Sequence, residues 1–450
     1  MKTLSQSIAR FSHQLEVDVI PPEILEKART CLFYTAGVAL GSNMTPYAAT
    51  ARRAAIAMHG VTADGATLLG DGRKSAILGA LVANSALFHG RTQDDTCGAA
   101  HLGAMIIPTL IALIETRRYP VARLLPALVA GYEVGGGLEI AGASGSTQAG
   151  FRASPVFGSI AVAAACAKIM DLTESQIAAA IANAASFAGG TLQAFDDGTE
   201  EWRYQLGVAA LNGLLSAELA AAGSLSSSRA LEGGSGFFRA FARLDIDVGA
   251  IIGRLGQEWS LQRVTFKPFP VCAFNQTPVT AALRLRKTLG SRRVERAEVR
   301  MNPYETGYAG IDSKGPFSTI SGTLMSIPFC IAQSILRGAP TMTSMTSYND
   351  VEVNTLARSI ALIGDPALPR LSCSITLDLE DGTSLSEKMV CSTQDYNFPT
   401  VIAEKLVRDI GEEMRIPAAA YNLVVNFARS LPSGSIDDVL NAFAMISPAR

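Results

Sequence analysis

Two imidazoles, two carboxylates and a hydroxyl fall within thirteen residues of a mostly apolar chain: His89, Asp94, Asp95, Thr96 and His101, inside the run from Asn84 to Leu113. The chain has four histidines, so half of them are here. Gly90, Gly98 and Gly103 punctuate the polar residues, which therefore read as a loop between two buried helices. Imidazoles and carboxylates set beside apolar helices have shifted pKa values, and that makes them usable as acids and bases near neutral pH. The competing reading of the same residues is an Asp-Asp-Thr helix cap beside a surface histidine.

The elements that must position this loop are helices. Pro21-Pro22-Glu23 opens one, in which Ile24, Ala28, Cys31 and Leu32 recur on one face. Thr45-Pro46 opens a second that runs to about Gly60, and 76–88 and 105–116 flank the polar loop as apolar helical runs. A helix over 124–133 is followed by Gly135-Gly136-Gly137, which lacks the spacing of a phosphate cradle and reads as helix packing. Residues 142–150 read as a small-residue loop, 156–170 as an alanine-rich helix, and Thr173 to Gln176 as a capping box. A helix from Trp202 to Ala222 completes an all-helical stretch.

The pattern changes after Phe266. Val294, Ala297, Val299 and Met301 come close to alternating, as in a strand. Residues 374–379 and 385–390 form a hairpin around an Asp381-Gly382 turn. Helical patterns at 318–337 and 351–363 lie between, and a helix starts again after Phe398-Pro399. The expected fold is mostly α. A large helical domain is built from residues 1–265 and 398–450, and a smaller α+β lid domain, 266–397, is inserted into it.

Composition narrows the function. Of 450 residues, 48% are hydrophobic and 17% charged, with a net charge of −2 and no basic run, which argues against nucleic acid. The apolar stretch 160–170 is broken by Lys168 and falls short of a membrane span. No signal peptide is evident, and the seven scattered cysteines fit a reduced cytoplasmic compartment. Metal-ligand spacings such as His-x-x-x-His are missing, so no metal site is expected.

The chain resembles the MmgE/PrpD family, whose members include dehydratases, a decarboxylase and an epimerase of small organic acids. The resemblance rests on Asn84 to His89, the loop Asp94-Asp95-Thr96 to His101, Gly150-Phe151-Arg152 with Gly158, Gly207 to Gly213, Lys267-Pro268-Phe269-Pro270-Val271-Cys272, and Phe398-Pro399. It implies a helical domain with a lid, a homodimer, no obligatory cofactor, and an active site in the cleft between the domains. Several positions depart from the family's pattern. Thr92 stands where the loop's first acid is usual, Arg152 and Gln276 where histidines are usual, Trp202 where a lysine is usual, and Phe329 where the decarboxylases carry a tyrosine.

The chemistry that the resemblance implies is proton transfer at a carbon next to a carboxylate, by a lyase or isomerase. His101 would be the acid or base, with Asp94, Asp95 and Thr96 completing the catalytic group. Arg152 suits a two-pronged carboxylate clamp unless it pairs with Glu133 or Asp196; Lys267 offers a second cation and Gln276 a neutral hydrogen bond. Trp202 and Thr92 would wall the pocket, and Tyr304 or Tyr308 could donate a proton. Two alternatives stay open: a tailoring isomerase or cyclase with a less anionic substrate, and an inert binding protein on the same scaffold.

Overall fold

The computed structural model describes residues 2–447. Helices Leu124–Gln148, Ala153–Ile169 and Glu201–Ala221 form the centre of the larger core. Their contact faces are alanine and glycine, so the backbones come close. A Cβ on Gly213 would sit 2.5 Å from the Cβ of Val162, and one on Gly135 would sit 2.6 Å from that of Ala161. The first of these helices runs straight through the glycine triplet and through 142–148, expected as a loop. There Gly142 and Gly145 face Phe238 and the Ala242 carbonyl, so packing outweighs their poor helix propensity. Val121–Gln148 is also long and apolar enough to cross a membrane by length and composition, but most of it is buried inside the protein.

The same core takes in the chain's last helices. Ala403, Val407 and Ile410 of Thr400–Met414, and Tyr421, Val424 and Phe427 of Ala418–Ser430, share one hydrophobic cluster with Pro22–Gly41. A second cluster gathers residues between Val271 and Leu379. Its sheet has the order Ile360–Gly364, Val294–Met301, Cys373–Leu379, Ser384–Met389; the first pair is parallel and the others antiparallel. Cys373, Ile375, Leu377 and Leu379 point to the buried face, as the alternation requires. The expected helix over 351–363 stops at Ser359, and its last residues become the parallel edge strand. β-Branched Ile360 and Ile363 suit that switch.

The two cores meet where the site lies. Tyr47, Phe195 and Trp202 belong by sequence to the helical part but pack into the lid cluster. The chain enters the lid through Val264–Thr265, paired antiparallel with Thr96–Cys97, and the Phe266 amide donates to the Tyr396 carbonyl on the way out. The polar loop therefore sits beside the strand that leads into the lid.

Candidate active site

The loop leaves helix Ile77–Phe88 at His89 and re-enters helix Gly103–Arg117. Its turn needs a left-handed backbone at Thr92 (φ 59°), which costs a β-branched residue free energy unless other groups hold it. Two buried cations do so. Arg203 donates to the carbonyls of His89 and Gly90 (2.9 Å each) and to Thr92 Oγ1 (3.2 Å), and Lys267 Nζ donates to the Thr92 carbonyl (2.6 Å). The Arg203 guanidinium lies between the rings of Tyr47 (3.8 Å) and Trp202 (4.0 Å). At the other end, Gly98 is left-handed (φ 61°) with the Glu139 carboxylate against it, and Glu139 accepts from the Ala99 amide at 2.9 Å.

Asp94 is the hub. One carboxylate oxygen lies 2.9 Å from His89 Nδ1 and the other 2.7 Å from His101 Nδ1. A carboxylate only accepts, so both Nδ1 atoms carry the proton and both Nε2 atoms present lone pairs. The Nε2 of His89 accepts from Arg152 Nη2 at 2.8 Å. The Nε2 of His101 has no hydrogen-bond partner among the described residues, and His101 lines the cleft. Burial raises the Asp94 carboxyl, but the two imidazoles overcome this and hold it well below the usual carboxylate range. Burial, reinforced by the charge of Lys267, lowers His101 to about 4; burial also lowers His89 well below its ordinary value. Asp94 is thus ionised and both imidazoles neutral at neutral pH. His101 is a base with an oriented, open lone pair.

Arg152 is fixed from two sides. Its amide donates to the Gly190 carbonyl (3.0 Å), where residues 150–152 pair with 190–192, and it starts helix Ala153–Ile169. Its guanidinium donates to the Trp202 carbonyl and to His89 and lies over the rings of Trp202 and Phe195. Neither Glu133 nor Asp196 pairs with it: Glu133 accepts instead from the amides of Ser260 and Leu261. The cleft is narrow, with a cavity volume of about 50 Å³. Phe195 and Trp202 of the helical part line it together with Phe274, Tyr308 and Met325 of the lid.

Of the residues expected in the site, His101, Arg152, Trp202, Thr92 and Thr96 line this cleft. Three expectations need correction. Asp95 points the other way: it is fully buried and accepts from Thr35 Oγ1 and Tyr132 Oη at 2.6 Å each, so it anchors the loop to the core. Gln276 spends its amide on its own segment, accepting from the Phe269 amide and donating to the carbonyls of Phe269, Val271 and Cys272. Lys267 sits one layer back, on the Thr92 carbonyl, and acts on the cleft through its charge. Asp94 likewise reaches the cleft only through His101. Tyr308 lines it, whereas Tyr304 stacks beneath Arg370 and beside Phe274.

Sequence spacing did not expose Arg203, Ser154 or the second imidazole's role. Arg203 carried a signal: it is a charged residue on the buried stripe of its helix, in step with Leu206, Ala210 and Gly213. Ser154 accepts from the His101 amide at 3.1 Å and also lines the cleft. His89, Asp94 and His101 further bring three metal-type ligand atoms within 4.8 Å of one another, a grouping that sequence spacing did not suggest. Both nitrogens of His89, both oxygens of Asp94 and the Nδ1 of His101 are already taken by hydrogen bonds, and the flanking Arg152 and Lys267 oppose a cation there.

Residues 6–247 match the MmgE/PrpD N-terminal domain and residues 269–393 the MmgE/PrpD C-terminal domain. The chain belongs to the MmgE/PrpD family. Similar proteins include the cis-aconitate decarboxylase of Aspergillus terreus, 23% identical over 86% of this chain and 84% of that protein. The cis-aconitate decarboxylases of Mus musculus and Homo sapiens are 26% and 25% identical over 86% of this chain, covering 82% and 83% of theirs.

Proposed function

We propose that this MmgE/PrpD protein is a lyase acting on a small organic acid, with His101 moving a proton at a carbon next to a carboxylate. The observation that carries the reading is the open, unprotonated Nε2 of His101, set by Asp94 on a cleft that Arg152 also lines. The names of its relatives agree with a lyase of carboxylic acids.

In the elimination direction Nε2 takes the proton, and the C–H electron pair moves into an enolate whose charge the guanidinium faces. The group on the next carbon then leaves with its bonding pair and picks up a proton, and the double bond forms. The Tyr308 hydroxyl is placed on the lid side of the cleft to give that proton. In a decarboxylation the C–C pair stays on the carbon as CO₂ departs, and the carbon takes a proton from His101, which must first have gained it from solvent as the imidazolium. Both reactions use one proton site.

The test is to incubate the protein with unsaturated and hydroxylated small acids in deuterium oxide and follow carbon-bound protons by NMR. Deuterium incorporation or loss of the acid, abolished in His101→Asn at unchanged melting temperature, is the expected result. An acid that raises the melting temperature yet neither exchanges nor reacts would overturn the proposal.

A further inference from the structure

Resting on that reading, we infer that the cleft takes an acid with a single carboxylate on a small, apolar or unsaturated body, and discriminates against di- and tricarboxylates. Three independent observations lead there.

The first is the supply of cations. Arg152 is the one cationic side chain among the cleft-lining residues, and two of its nitrogens are already committed to Trp202 and His89. Lys267 faces the Thr92 carbonyl, and Arg203 is sealed between Tyr47 and Trp202. A second or third carboxylate would meet uncharged side chains, among them the hydroxyls of Thr92, Thr96, Ser154 and Tyr308, and burying a charge without a cationic partner is strongly unfavourable.

The second is the balance of buried charge. Around the loop three buried cations, Arg152, Arg203 and Lys267, stand against two buried carboxylates, Asp94 and Asp95. Arg91, also in the loop, is offset by Glu413, and Glu139, which accepts from the Ala99 amide, is offset by Arg263 at 3.6 Å. One positive charge is left over, and one carboxylate neutralises it.

The third is the character of the walls. Phe195, Trp202, Phe274 and Met325 present rings and a thioether, and the Trp202 indole N–H is turned away onto Ser321 Oγ at 3.1 Å. Such walls bury hydrocarbon favourably and offer nothing to a hydrated carboxylate.

The test is a matched series on one carbon skeleton: crotonate, glutaconate and aconitate, with one, two and three carboxylates. Titration calorimetry at fixed ionic strength should give crotonate a Kd at least about tenfold below that of the other two. Phe274→Lys puts a cation on the lid wall at a half-buried position and should improve aconitate binding by about tenfold while changing crotonate little. If that variant does not fold, the wild-type series decides alone. Aconitate binding as tightly as crotonate, or no binding by any of the three, rejects the inference. The same acids in deuterium oxide separate it from the proposed function. Tight crotonate binding without exchange removes proton transfer and keeps the substrate class; exchange confined to aconitate does the reverse.

Discussion

His101 Nδ1 lies 2.7 Å from Asp94 Oδ2, and that contact decides which nitrogen of the ring meets the cleft as a base. An amide in place of the carboxylate offers one acceptor and one donor to two imidazoles that both donate. One ring must then shift its proton to Nε2. On His101 this removes the base; on His89 it sets N–H against the Arg152 guanidinium. Asp94→Asn should lower kcat by about 10²–10⁴-fold, the range expected when a general base is lost or held in the wrong tautomer. Turnover within a factor of two of wild type would dismiss the orienting role.

His101→Asn and Arg152→Lys should separate proton transfer from binding. The His101 side chain keeps slight exposure, and removing it leaves the Asp94–His89 contact in place. We expect ligand binding to persist while turnover falls about 10²–10⁴-fold. In Arg152→Lys a compact ammonium cannot keep the His89 and Trp202 contacts and also grip a carboxylate, so KM should rise more than kcat falls. Steady-state kinetics beside thermal melting tells the two patterns apart.

Asp95 makes the opposite prediction. Asp95→Ala leaves the hydroxyls of Thr35 and Tyr132 without their acceptor in a sealed site, a loss of about 1–3 kcal/mol for each. Gly103→Ala attacks the same cluster, because its Cβ would lie 2.2 Å from Asp95 Oδ1 and 2.4 Å from Tyr132 Oη. Both variants should lower the melting temperature, whereas kcat per folded molecule should hold within a few-fold. Denaturant titration with active-site counting checks this.

The divergence between adjacent Asp94 and Asp95 shows where reading the sequence stops. Periodicity gave the helices around the loop, the alternating lid strands and the Asp-Gly hairpin, because burial on one face leaves a regular imprint. His101 stood out by residue type within the polar loop, and Arg152 through the family resemblance. Periodicity could not tell which of two neighbouring carboxylates holds the imidazoles, since a loop turn at Thr92 and Gly98 sets their directions and has no period. Gln276 failed for a related reason: its backbone partners at Phe269, Val271 and Cys272 come from a local turn. The helix through 142–148 was lost because glycine reads as a breaker until a close neighbour explains it.

The pH dependence of kcat/KM tests the direction of proton transfer, since this quantity reports ionisations of the free enzyme. Burial and the charge of Lys267 bring His101 from its ordinary 6.5 to about 4, and burial brings Lys267 from 10.5 to about 8. If His101 acts first as a base, the neutral ring is the active form. Activity is then flat from about pH 4 upward and falls tenfold per unit as the pH drops below it. Above about pH 8 the Lys267 ammonium loses its charge, the buried site loses its surplus positive charge, and an anionic substrate binds less well. The expected profile is therefore a plateau bounded near 4 and near 8. Lys267→Gln keeps a hydrogen-bond donor for the Thr92 carbonyl but cannot titrate, so it should erase the alkaline limb and raise KM across the plateau. It should also raise the pKa of His101, because the repelling charge is gone, and move the acid limb upward. If His101 must instead start as the imidazolium, as protonation after loss of CO₂ would require, kcat/KM falls tenfold per unit as the pH rises above about 4. A rate profile from pH 3.5 to 9.5, with circular dichroism at each pH to confirm folding, decides between the two.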